Sequence, residues 1–196
     1  MKKNLKELTK HDWDTLFPIQ LVDHDPTWKA VFNEEKQKIL EATKHQYVTS
    51  IAHFGSSSIP NIKSKPYIDI LIEIPRTYLF DPQLTQQLES IGYTCLTAPN
   101  NDPNNYMILA KGYNLEGTCE QIFHIHACPK NHPMLEQIKF RDYLIQHPER
   151  AKQYERLKVN LSREFKNDRS GYRIAKTDFI KETLNLLKQK NANGKI

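Results

Sequence analysis

Apolar residues change their spacing along this chain, and the change divides it. Between residues 47 and 128 they come in short runs rich in β-branched and aromatic side chains; after Pro129 they return every three or four positions. The first habit belongs to strands and the second to helices. Runs at 47–54, 67–74, 93–97, 106–111 and 119–128 predict five strands, and 19–22 (IQLV) predicts a shorter one. The segment 67–74 (YIDILIEI) is apolar on one side and carries Asp69 and Glu73 on the other, since successive strand residues alternate faces. Segment 119–128 alternates as cleanly, with Glu120, Ile122, His124, His126 and Cys128 on one face. Trp28, Val31, Phe32, Ile39 and Leu40 predict a helix over 26–44, with Asp25 as cap and Pro26 at its first position. A second helix is expected over 79–91, closed by Gly92. Beyond Pro129 the pattern predicts helices at 135–147, 148–166 and 172–190. The expected plan is α/β for residues 1–130, then basic helices over 131–196 that pack on that core as one domain.

The length of 196 residues agrees with a single domain. Charge then sharpens the division. Residues 1–134 carry 13 Lys or Arg against 15 Asp or Glu, whereas 135–196 carry 15 against 8, so the whole surplus of +5 sits in the last third. A basic segment beside a near-neutral body suggests an anionic ligand, phosphate or nucleic acid, although solvated lysine-rich helices would have the same composition. The three cysteines lack any CxxC spacing, which argues against a disulfide framework or zinc ribbon and for a reducing cytoplasm. No apolar run approaches the roughly 20 residues of a membrane span, and Met1-Lys2-Lys3 is followed by no signal-like apolar stretch.

The densest chemistry lies in His53-Phe54-Gly55-Ser56-Ser57-Ser58-Ile59-Pro60, followed by Lys65-Pro66-Tyr67-Ile68-Asp69. Here a strand ends in a Gly-Ser turn, and the next strand opens with a carboxylate. Gly55 permits close backbone approach, while Ser56, Ser57 and the turn's N–H groups suit phosphate oxygens. Asp69 on the adjacent strand could hold a Mg²⁺ that bridges those phosphates. A plain serine-rich turn with Asp69 hydrogen-bonded locally would give the same string. The paired histidines His124 and His126 suit a transition metal, a phosphate contact or proton transfer, or simply a hydrogen-bonded pair within the sheet. Glu120, on their predicted face, is a second candidate metal ligand.

The strings GSSSIPNIKSKPYIDI (55–70), HIH (124–126) and FRDYLIQHPERAKQYERLK (140–158) together resemble the GrpB family, which is assigned to the polymerase-β-like nucleotidyltransferase superfamily. The resemblance runs from 19–28 to 176–180. It implies a mixed sheet with flanking helices, the Gly-Ser turn near nucleotide phosphates, and carboxylates that hold Mg²⁺. Two positions depart from that pattern. Leu71 stands where the superfamily has its second carboxylate, and Asn61 stands where the family often has glycine. The string HIHAC also resembles the histidine-triad hydrolases, but Cys128 occupies the third ring position.

Among the basic residues after 135, Lys158 and Lys176 fall in the family-like patterns YERLK and YRIAK. Tyr172 and Lys176 stand four apart, on one face of the expected last helix. With Lys65 they complete the expected contacts to a nucleotide or other phosphorylated small molecule. Nothing interleaves aromatic and basic residues as a single-strand nucleic-acid platform would. Three functions compete on this basis: Mg²⁺-dependent nucleotidyl transfer through Asp69, His124 and His126; a non-catalytic nucleotide- or RNA-binding module, which Leu71 favours; and a histidine-dependent metal hydrolase.

Overall fold

The structure is a computed structural model that describes residues 4–115 and 120–193. Its strands β1 (Ser50–Phe54), β2 (Tyr67–Glu73), β3 (Thr94–Cys95), β4 (Met107–Lys111) and β5 (Ile122–Cys128) form one sheet in the order β1-β2-β5-β4-β3. Only β2 and β5 run parallel; the other three pairings are antiparallel, so the sheet is mixed as expected. Helices flank it: α1 (Lys10–Leu16), α2 (Trp28–Ala42), α3 (Pro82–Ser90), α4 (Glu136–Gln146), α5 (Pro148–Glu164), α6 (Arg169–Ile174) and α7 (Thr177–Asn193).

Strand alternation explains the layering. Ile68, Ile70, Ile72 and the following Ile74 point to one face and are 1% exposed or less, packed with Phe32 and Ile39 of α2 and Leu84 and Leu88 of α3. Each such side chain stabilises the fold by about 1.5–3 kcal/mol on burial. The opposite face of β2 presents Tyr67, Asp69 and Leu71, and Leu71 packs with Phe54, Cys128, Met134 and Leu135. A separate apolar cluster joins Ile59 and Ile62, just after the Gly-Ser turn, to Phe140, Leu144, Ala151 and Tyr154 of α4 and α5, with Phe179, Ile180 and Leu184 of α7 against it. The basic helical third is thereby held over the turn that carries the chemistry.

Several elements differ from the sequence reading, each for a local reason. Residues 19–22 form no strand. Only Val22 pairs, in an isolated bridge with Ser64, while Ile19 is buried beside Leu161 and Tyr172. The next helix starts at Trp28, because the Asp25 carboxylate accepts the N–H and hydroxyl of Thr27 and makes a turn there in place of a cap. Helix α3 begins at Pro82 behind Asp81, whose carboxylate accepts the Leu84 N–H, and Phe80 at φ +63° bars an earlier start. The short α1 gives too few turns for a periodic signal. Its mark is a capping box, with Thr9 accepting from the Asp12 N–H and Asp12 from the Thr9 N–H. The division between α4 and α5 falls where expected, at His147 before Pro148. The helix expected over 172–190 is two helices, parted at Ala175 and Lys176. Strand β5 opens at Ile122, and Cys119 lies outside the described residues. No described helix is long and apolar enough to cross a membrane.

Candidate functional site

A cleft of about 820 Å³ opens between the Asp69 face of the sheet and the C-terminal helices. The Gly-Ser turn forms one wall. Gly55 sits at φ +73° and ψ −175°, and a Cβ placed on it would lie 2.3 Å from Asp69 Oδ2. Both the backbone angle and the closeness of the carboxylate therefore demand glycine here. Ser56, Ser57 and Ser58 make one tight helical turn, in which Ile59 N–H donates to Ser56 O and the Ser58 hydroxyl donates to Gly55 O. The leading N–H groups of such a turn have no acceptor within it. Ser56 lines the cleft and hydrogen-bonds Tyr154. Ser57 does not join it. Its residue is 1% exposed, and its hydroxyl sits 3.1 Å from His53 Nε2, behind the wall.

Asp69 is registered directly opposite His124, because β2 and β5 run parallel with Tyr67 beside Ile122. Asp69 Oδ1 lies 3.2 Å from His124 Nδ1, and His124 Nε2 lies 2.7 Å from the Tyr113 hydroxyl. Arg169 completes the chain by donating to the Tyr113 hydroxyl at 3.3 Å and, from its other terminal nitrogen, to Phe17 O at 2.7 Å. Burial alone would raise the Asp69 pKa, but the His124 hydrogen bond, with the charges of His124, His126 and Lys65, holds it below the ordinary carboxylate value. His126 lies one pleat further along the same face, stacked on Tyr106 and edge-on to Phe54. Burial lowers its pKa to about 4, with Asp69 opposing the shift, so the ring is neutral at pH 7. Its Nδ1 is enclosed without a hydrogen-bond partner.

Cations close the other side. Lys65, Lys158, Lys176 and Arg169 all line the cleft, together with Tyr172. Lys158 is only 1% exposed; its ammonium donates to Lys63 O and lies 5.0 Å from the Tyr154 ring centre. Burial and the neighbouring Lys176 charge lower its pKa to about 7, against a smaller opposing effect of Glu155. Lys65 is held at about 7 by burial and the nearby Arg169 and Lys176 charges, and Lys176 at about 8 by burial, which Asp69 partly opposes. Lys176 Nζ lies 4.3 Å above the Tyr172 ring, so the break between α6 and α7 keeps the expected pair together. Arg169 is fixed from α1, where Asp14 accepts its backbone N–H at 2.9 Å and Trp13 packs near its guanidinium.

Nine expected residues thus line one cleft: Gly55, Ser56, Lys65, Asp69, His124, His126, Lys158, Tyr172 and Lys176. Glu120 is not brought to them. It precedes β5, is exposed, and borders a separate hollow with Lys111 and Leu115. The sequence reading missed Tyr113 as a site residue, and nothing in the local pattern marks it. Arg169 stood only as one of many basic residues; its sole distinguishing signal was a place just after Asp168 at the head of a helix.

The donor set for a metal is thin. Asp69 Oδ1 is engaged by His124, and both ring nitrogens of His124 are occupied. Leu71, at the second carboxylate position, is 2% exposed within an apolar cluster. Among the described residues, no group of three or more His, Cys, Asp or Glu side chains is placed to hold an ion. The residues present do not fit a resident two-ion centre, which needs several clamping oxygens.

Comparison with known proteins agrees with this architecture. The family profile described as GrpB protein matches residues 18–186. The Glutamate-rich protein GrpB of Alkalihalophilus pseudofirmus is 35% identical over 166 residues, covering 84% of this chain and 93% of that protein. The UPF0157 protein YqkA of Bacillus subtilis is 32% identical over 184 residues, which is 91% of this chain; the chain spans about half, 51%, of that longer protein. The crystal structure of the conserved protein GrpB from Enterococcus faecalis superposes with a TM-score of 0.72 at 26% identity, over 88% of this chain and 99% of that one. With a family profile spanning most of its length and a relative above 30% identity along nearly the whole of both sequences, the chain belongs to the GrpB family.

Proposed function

We propose that this protein binds a nucleotide or another phosphorylated small molecule in the cleft between β2 and the C-terminal helices, on a nucleotidyltransferase-like scaffold. The convergence of Lys65, Lys158 and Lys176 with Arg169 supports this reading most strongly. Burying cations against one another is costly, and the lowered lysine pKa values express that cost. An anion between them would offset it. Lysine supplies mobile point charges and arginine a planar fork, and both match phosphate oxygens. Gly55 and Ser56 of the Gly-Ser turn line the same space, and backbone N–H groups of such a turn suit phosphate oxygens.

A catalytic version of the same reading draws on the Asp69–His124–Tyr113 chain. Asp69 would orient the ring through Nδ1, and Nε2 would take the proton of the Tyr113 hydroxyl as that hydroxyl accepts one from an attacking group, a relay built on a carboxylate–histidine pair. Nucleotidyl transfer to an acceptor would use it so. The hydrolase reading is less favoured, because His124 has both nitrogens engaged and its ring centre lies 6.5 Å from that of His126.

Thermal-shift screening of nucleotides and inorganic polyphosphates tests the binding claim. A saturating ligand at 100 times its Kd should stabilise the fold by about 2.7 kcal/mol. The reading fails if no phosphate compound shifts the melting temperature, or if those that do act equally on Lys158→Gln.

A further inference from the structure

We propose that the cleft takes its phosphate ligand free of divalent metal, with Lys65, Lys158, Lys176 and Arg169 supplying the positive charge that an ion would otherwise bring. This rests on the phosphate-binding reading above and adds to it the state in which the ligand arrives.

The charge balance of the lining carries the inference. Seven lining side chains are Lys or Arg, while only two, Asp69 and Glu136, are carboxylates. A metal–phosphate complex has much of its charge neutralised already and would meet a wall of cations with few oxygens to share. The bare polyphosphate has the complementary charge. Mg²⁺ in phosphate sites is held by one or two carboxylates plus waters and phosphate oxygens. Of the two carboxylates, Glu136 is ion-paired with Lys139 at 2.7 Å, and Asp69 has Oδ1 engaged by His124 and Oδ2 beside Gly55, where a Cβ would fall. The neighbouring position is closed as well. Leu71 packs with Phe54 and Cys128, so the place where a second ligand would stand is apolar. Lys158 is anchored at the other side by its bond to Lys63 O, and Arg169 by Phe17 O, so both groups are held at the cleft without any ion to organise them.

The metal and the protein then compete for the same oxygens. Competition of this kind has the size of an ordinary coupling between two binding equilibria, about fivefold or more. Isothermal titration of the full chain with ATP and with inorganic tripolyphosphate, in EDTA and in excess Mg²⁺, measures it directly. Both ligands should bind in EDTA, and excess Mg²⁺ should weaken each by about fivefold or more. Binding that appears only with Mg²⁺, or that Mg²⁺ tightens, overturns the inference and leaves the phosphate reading standing. No binding of either compound under either condition overturns both. Two variants extend the test in EDTA. Asp69→Asn should bind tripolyphosphate several-fold more tightly, because a like charge leaves the cleft, and Lys176→Gln should bind it more weakly. Loss of binding in Asp69→Asn overturns the inference.

Discussion

Replacing Lys158 with methionine separates what a buried ammonium does to the fold from what it does for a ligand. The side chain is 1% exposed, and its pKa falls from 10.5 to about 7 through burial and the Lys176 charge. An unfolded chain keeps the ordinary value. Below pH 7 both states carry the charge, and the folded state bears the full penalty of confining it. Between pH 7 and 10.5 the folded lysine is largely neutral while the unfolded one is charged, so the penalty fades as pH rises and is gone above 10.5. At about 1.4 kcal/mol per pKa unit, the full penalty is about 5 kcal/mol. Methionine keeps similar bulk and removes it, but leaves the Lys63 carbonyl without its donor, at about 1–3 kcal/mol. The expected net gain near pH 7 is about 2–4 kcal/mol, which for a domain of this size raises Tm by about 5–15 °C. Thermal melts of parent and Lys158→Met between pH 7 and 10 provide the assay. The variant should melt higher at pH 7, the gap should close towards pH 10, and tripolyphosphate should stabilise the parent more than the variant. A variant that melts below its parent at pH 7, with a gap indifferent to pH, refutes the idea that this charge strains the fold.

Gly55→Ala combines a left-handed backbone with a Cβ driven onto Asp69 Oδ2, and should destabilise by about 2–4 kcal/mol in urea unfolding. A change under 1 kcal/mol would mean that the turn relaxes freely. His124→Leu removes the hydrogen bond that holds the Asp69 carboxyl low, so its NMR titration midpoint should move up. In the parent, the stability from this carboxylate is present above the ordinary carboxylate pKa and is lost as pH falls through the lower folded value. That acid-side loss should be smaller in the variant. The Cys128 thiol is fully buried and pushed up to about 12 by burial, with Glu73 adding to the shift. It should react with a thiol reagent only after denaturation, and rapid labelling of Cys128 in the native protein would contradict its place in the core.

The strands were legible because β2 and β5 each carry one unbroken apolar face, Ile68, Ile70 and Ile72 in the first and Phe123, Ile125 and Ala127 in the second, that had to be buried. Segment 19–22 looked equally apolar, yet burial there came from Leu161 and Tyr172 rather than from a neighbouring strand. Local pattern says that a residue is inside, not what it lies against. The last helix shows the converse. Nothing between Tyr172 and Thr177 advertises a break, and the bond from the Arg169 N–H to Asp14 of α1, which ties down the head of α6, is invisible to local pattern. For the site, the string from Gly55 to Asp69 was readable because its parts are close in sequence. Tyr113 and Arg169 were not, since their roles arise from partners 11 and 56 residues from Tyr113. Glu120 was assigned by extending backwards a strand that begins later, at Ile122, than its alternation does.

The parallel register of β2 and β5 has a kinetic consequence. Asp69 and His124 are 55 residues apart, and they face each other only because Tyr67 aligns with Ile122. A slip of one residue would turn Asp69 into the isoleucine core and His124 away from Tyr113. Parallel pairing across such a separation is a slow, non-local event, because loop closure must precede any contact that rewards it. The cleft is therefore assembled by the same step that completes the sheet, and no early, locally ordered intermediate can possess it. During refolding, the capacity to capture a phosphate ligand should emerge together with the final sheet, making the site a built-in reporter of correct strand alignment.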